Sequence, residues 1–189
     1  MVDRIVGPSA APQANAAPPR GTVLAGIRSG LAGGLVMFLV VALSAGIEGL
    51  GWLHPLEAIG TTLVGAGTSG GAAAVAGGAL LHAVASAVFG VGLAAVLPDD
   101  FPPVSAAAVG GAYGLFTAGL MMSLVVPLVN PAFRALIQPV GGSWTIGHIG
   151  FGATLGLALT LRHWASRRAI KRAASVAGTA RPVSQDRAR

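Results

Sequence analysis

The stretch "GGALLHAVASAVFGVGLAAVLPDDFPP" (Gly77 to Pro103) decides the fold. From about Gly78 to Leu97 it carries no charge, and it then stops on an acidic turn bracketed by prolines. A helix that crosses a bilayer needs about 20 mostly apolar residues, and this run has that length. Strict apolar–polar alternation, the signature of a membrane strand, is missing here and elsewhere in the chain. The stretch predicts a membrane helix that ends at Pro98.

Three further segments fit the same description. They run from about Leu24 to Ile47, from about Val104 to Val126 with Pro127 at the end, and from about Trp144 to His163. The composition agrees. The chain is 53% hydrophobic and 10% charged, with a mean hydropathy of +0.74. Soluble domains carry about 25% charged residues, so this chain could not coat a water-facing surface. Its 29 glycines suit close approach between membrane helices. It has no cysteine, which excludes disulfides, thiolate metal sites and cysteine nucleophiles.

The net charge of +6 sits on the tails. From Arg162 to Arg189, eight basic residues face Asp186 alone. Arg4, Arg20 and Arg28 face Asp3. Between them only Arg134 offsets Glu48, Glu57, Asp99 and Asp100. That distribution reads as membrane topology and not as a DNA-binding face. It predicts both termini in the cytoplasm and the segments 48–77 and 127–143 outside. Trp52 and Trp144 would mark the outer interface and Trp164 the inner one.

Residues 1–21 are rich in proline and alanine with little to bury, and read as a disordered tail. A secretory signal is the competing reading, but the apolar run Ser29 to Ile47 exceeds the roughly 7–15 residues of a signal core. Segment 55–70 reads as a short interfacial or re-entrant helix after Pro55, followed by a flexible glycine link. Residues 164–189 read as a basic cytoplasmic tail, whose "RHWASRRAIKRAASVAG" continues the fourth helix along the anionic inner leaflet; calmodulin-like or nucleic-acid binding is the sharper alternative for it, and a topology signal the commoner one.

The helices echo one another. "GLVMFLVVAL" (Gly34 to Leu43) and "GLMMSLVVPL" (Gly119 to Leu128) agree at seven of ten positions. "HPLEAI" (His54 to Ile59) is echoed by "NPAFRALI" (Asn130 to Ile137), and His82 with Gly90 by His148 with Gly156. Three echoes in one order predict an all-α, integral membrane four-helix bundle built from two pseudo-repeated helical hairpins. Both hairpins enter from the same side, so the repeats are parallel.

His82 and His148 then occupy equivalent positions, each about 6 Å inside the outer boundary at 1.5 Å per residue. Residues at i, i+4 and i+8 share a helix face. His82, Ser86 and Gly90 form one stripe, and His148, Gly152 and Gly156 its counterpart. Small residues are what membrane helices pack through, so both rings should point into the bundle.

Three uses of that pair stay open. The plainest is packing, with each imidazole bonding a neighbouring carbonyl for about 0.6 kcal/mol. The second is a haem or transition-metal site of His82 and His148, with Met121 and Met122 at similar depth; thioether plus imidazole favours copper(I). Gap-filling is the commoner role of methionine, and no cofactor is the favoured expectation. The third is transport of a small solute or ion, with Glu48, His54 and Glu57 at the outer mouth. Those three are more often solvated loop residues. No P-loop, HExxH or serine–histidine–acid pattern is present, so no enzyme activity is expected. "GAGTSGG" (Gly65 to Gly71) lacks the lysine of a phosphate loop.

The motifs "LHAVASAVFGVGLAAVLP", "GGAYGLFTAGLMMSLVVPLVNP" and "WTIGHIGFGATLGLALTL" resemble small four-helix bacterial inner-membrane proteins of an uncharacterised family. The resemblance covers residues 22 to 163. It implies a multi-pass protein of the bacterial inner membrane and imports no activity. The expectation is a non-enzymatic accessory or assembly component, partnered by lipid and by copies of itself or a larger membrane complex, with no nucleic acid. The alternative is haem or metal binding, or transport, through the histidine pair.

Overall fold

A computed structural model of the chain describes residues 20–65, 67, 71–98 and 100–179. The expected tail therefore lies outside the described residues except at its end, where Arg20 and Gly21 already belong to the first helix. Most of the glycine link and residues 180–189 also lie outside them.

All elements among the described residues are helical. Helix α1 (Arg20–Ile47) ends where Gly49 and Gly51 adopt left-handed backbone, φ 75° and 91°, a conformation that glycine takes without penalty. Helix α2 (His54–Val64) opens with Pro55 in its first turn, where no N–H is required. Helix α3 (Ala72–Val96) stops before Pro98, as expected. It starts six residues earlier than the expected Gly78, because nothing in "AAAVAG" breaks a helix and α2 gives those turns a partner. A Cβ on Gly60 would overlap the Ala74 carbonyl, and one on Gly78 the Leu56 carbonyl.

The third span holds a feature that the sequence reading did not foresee. Helix α4 (Pro103–Leu120) passes through a π-turn, Met121–Val125, into α5 (Val126–Val129). Pro127 thus sits inside the helical run and not at its end. In the π-turn the Val126 N–H reaches back to the Met121 carbonyl. The next donor in that register would be residue 127, and proline has none. The orphaned Met122 carbonyl instead accepts from Arg134 Nη2 at 2.9 Å. Arg134→Met is expected to cost up to about 1.5 kcal/mol, the low end for a charged donor since Arg134 is exposed. In a Pro127→Ala background, which supplies the missing N–H, the same change should cost less. An SDS-unfolding double-mutant cycle reads the difference.

Helix α6 (Phe133–Ile137) and a 3₁₀ turn (Gln138–Val140) lead into α7 (Gly141–Thr179), whose helix continues through the basic segment as expected. The four long helices alternate in direction. Around the bundle they follow the order α3, α1, α7, α4, with α2 laid against α3. Each expected hairpin packs as a pair, α1 with α3 and α4 with α7, and α1 joins the pairs through α7. Helices α3 and α4 barely touch, although they are neighbours in sequence. Their main link is the Tyr113 hydroxyl, which donates to the Phe89 carbonyl at 3.0 Å.

Leu93, Leu155, Val41 and Val140 are the largest fully buried apolar side chains. Leu35, Leu39, Leu43, Val84, Val88 and Val96 are exposed on the outside. An apolar exterior of that extent marks a surface meant for lipid or protein. Four segments, Thr22–Ile47, Ala72–Val96, Pro103–Val129 and Phe133–Arg162, are long and apolar enough to cross a membrane.

Candidate functional site

The site starts from the two small-residue faces. In α1·α3, a Cβ on Gly30 would overlap the Ser86 carbonyl, and one on Gly90 the Gly26 carbonyl. In α4·α7, a Cβ on Gly114 would overlap the His148 carbonyl, and one on Gly152 the Gly110 carbonyl. Backbone meets backbone in both pairs. Both histidines stand at the same end of their stripes, with His82 against Gly34 and His148 against Gly114. The packing therefore matches Gly34 with Gly114, five residues before the Gly119 that the sequence echo pairs with it.

Above these seams, toward the 48–65 and 130–140 connections, the two pairs part and leave a cavity of about 330 Å³. Helix α3 contributes His82, Ser86 and Phe89; α4 and its π-turn contribute Thr117, Met121 and Val125; α7 contributes Trp144, His148 and Phe151. Met37 of α1 forms the back, and Ile59, Thr62, Asn130 and Phe133 close the end. The volume lies at the lower edge of small-molecule sites, about 300–1,000 Å³, and the mostly apolar wall with a few polar groups is typical of them.

His82 and His148 both line this one cavity. His148 is 7% exposed, and its ring lies 5.1 Å from that of Trp144. A carbonyl only accepts, so each bond fixes the position of a ring proton. His148 Nδ1–H donates to the Trp144 carbonyl at 2.9 Å, which in the neutral ring leaves Nε2 with a lone pair. His82 Nε2–H donates to the Gly34 carbonyl at 2.9 Å, which leaves Nδ1. The two rings are thus opposite tautomers.

The other singled-out residues divide. Met121 lines the cavity; Met122 does not, and packs against the core. Glu48 and Glu57 lie outside the lining, and His54 uses Nε2 to donate to the Leu136 carbonyl at 2.9 Å, tying α2 to α6. Among the described residues no three histidine, aspartate or glutamate side chains are grouped so as to hold a metal ion. The metal- or haem-ligating side chains that line the cavity are two imidazoles and two thioethers, of His82, His148, Met37 and Met121.

Trp144 corrects an expectation. It is 8% exposed, turned inward, and stacked edge-on against Phe133 at 5.3 Å. Helix α7 begins upstream, at Gly141, so Trp144 belongs to its first turns and faces the core rather than the end of the span. Trp52 remains outward at 60% exposure, and Trp164 is also exposed, with Arg168 Cζ 6.0 Å from its ring centre.

Asn130 was the residue that sequence reasoning missed. It is 7% exposed, and its amide Nδ2 donates to the Thr61 hydroxyl at 2.8 Å and the Thr62 hydroxyl at 3.0 Å. These bonds join the α5 end to α2 and close the cavity. The available signal was scarcity, since a polar side chain in so apolar a chain needs a buried partner.

No family model, no curated protein and no solved structure matches the chain.

Proposed function

We propose that the chain is a multi-pass membrane protein that takes a small lipid-phase molecule into the cavity between α3 and α4, as a binding or accessory component and not an enzyme. The observation that carries this reading is the cavity itself: an apolar chamber that two separately packed helix pairs each furnish with one histidine. Packing alone does not call for such a space, because well-packed interiors leave few voids larger than a water molecule. The weak α3–α4 seam offers an entrance from the side. The exposed apolar exterior and the basic tails support membrane insertion with both ends in the cytoplasm, and the sequence resemblance supports a bacterial inner membrane.

Because the native chain has no cysteine, single-cysteine variants give a clean test. Leu50→Cys should react with an impermeant maleimide added outside intact cells, and Ala169→Cys only after permeabilisation. Ala85→Cys, in the cavity wall, should react with N-ethylmaleimide and be slowed several-fold by saturating naphthalene. Equal labelling of Leu50→Cys and Ala169→Cys in intact cells would overturn the topology. Naphthalene without effect on Ala85→Cys would overturn the binding site.

A further inference from the structure

The unused hydrogen-bonding capacity of the cavity wall is lopsided. Thr117 donates its hydroxyl proton to the Gly114 carbonyl at 2.8 Å, so only its oxygen lone pairs remain. Asn130 has engaged its amide nitrogen with Thr61 and Thr62 and keeps a free carbonyl oxygen. His82 retains Nδ1 and His148 retains Nε2, both bare acceptors once their N–H groups are bound to carbonyls. Four lining residues therefore offer acceptors. On the donor side stand two hydroxyls: that of Ser86, which rotates to give or accept, and that of Thr62, which accepts from Asn130 and keeps its own proton, so the four acceptors outnumber the donors. The Trp144 Nε1–H has no partner but is itself sealed from contact.

A buried acceptor without a donor carries a desolvation penalty, and the ligand that relieves it must bring the proton. The rest of the wall combines the aromatic rings of Phe89, Phe133, Phe151 and Trp144 and two thioethers with aliphatic side chains such as Ile59 and Val125. Aromatic rings favour offset or edge-on contact with another ring. From this we infer that the ligand is a lipid-soluble aromatic alcohol, of the phenol or hydroquinone class, whose hydroxyl donates to His148 Nε2 while its ring lies among the phenylalanines and an apolar substituent leaves through the α3–α4 seam. The inference rests on the proposed reading of the cavity as a binding site. It adds that the ligand donates, which separates a hydroquinone from its quinone and an alcohol from its ether.

Three probes of similar shape separate donor from acceptor. 1-Naphthol carries a donor, 1-methoxynaphthalene only an acceptor, and naphthalene neither. Binding is measured by equilibrium dialysis against the full chain in phosphatidylethanolamine–phosphatidylglycerol nanodiscs, with empty nanodiscs correcting for partition. 1-Naphthol should bind about 10-fold tighter than 1-methoxynaphthalene, the factor expected of one added hydrogen bond. His148→Phe should remove that preference, bringing 1-naphthol to within about 2-fold of 1-methoxynaphthalene. Equal binding of all three probes by the native chain overturns the donor assignment and leaves the cavity reading intact. No binding of any probe overturns both. The native-chain comparison needs no variant, so a misfolded His148→Phe does not blunt the test. A preference that persists in a folded His148→Phe also counts against the assignment to that ring.

Discussion

Gly152→Val should unfold the α4·α7 pair. A single Cβ at this position already overlaps the Gly110 carbonyl oxygen, and it would lie 2.7 Å from both the Gly110 carbonyl carbon and the Gly114 nitrogen. All three obstacles are backbone, so no side chain swings aside to make room. Overpacking a fitted core costs typically 1–3 kcal/mol, and a rigid helix on the far side places this change at the top of that range, about 3 kcal/mol. The separation would also draw His148 away from Thr117 and dissolve the cavity wall, so naphthalene binding should disappear together with stability. SDS-unfolding midpoints and near-ultraviolet circular dichroism in micelles report both events. Gly119→Ala is the matched control. A Cβ there meets nothing within 4 Å, and a helix-interior glycine replaced by alanine gains about 0.5–1 kcal/mol. Equal midpoints for Gly152→Val and the native chain would contradict the backbone-to-backbone contact of α4 with α7.

Asn130→Leu should release α2 from the end of the bundle. The substitution puts an apolar side chain of similar bulk in place of the amide and removes two donors, so Thr61 loses its 2.8 Å partner and keeps only its own bond to the Ala58 carbonyl, while Thr62 loses its 3.0 Å partner. Thr61 is 3% exposed, so water does not substitute freely. Leaving buried polar atoms unsatisfied costs about 1–3 kcal/mol, and about 2 kcal/mol corresponds to roughly 30-fold more opening. Hydrogen exchange should show that acceleration in the α2 amides, with those of α1 and α7 much less affected. Thr62→Val keeps the bond to Thr61 and should accelerate exchange less. Uniform acceleration through every helix would mean that Asn130 supports global stability and is not a local latch.

Both predictions concern contacts that the sequence left unassigned, although much of the frame was legible. Pro98, Pro103 and Pro55 mark helix ends because proline lacks an N–H and fixes φ. The long apolar runs between them are helices because their backbone groups must bond within the segment. The small-residue stripes below His82 and His148 gave the helix faces, since four-residue spacing survives any tertiary arrangement. The ends of the runs were less legible. Helix α3 reaches back to Ala72 only because α2 shelters it, and the third span runs past Pro127 only because a π-turn and Arg134 deal with the Met122 carbonyl.

The sequence by itself determined that the described part of the chain is helical, that four segments are apolar enough for a bilayer, and that His82 and His148 crown faces made for close approach. These are local properties, set by composition and by the 3.6-residue turn. The tertiary structure alone decided that α3 and α4 stay apart, that Trp144 turns inward, that Asn130 latches α2, and that Met121 lines the cavity while Met122 does not. The reason is physical. When nearly every face of every helix is apolar, hydrophobicity no longer tells one face from another, and the choice passes to shape and to the few hydrogen bonds that must find partners away from water.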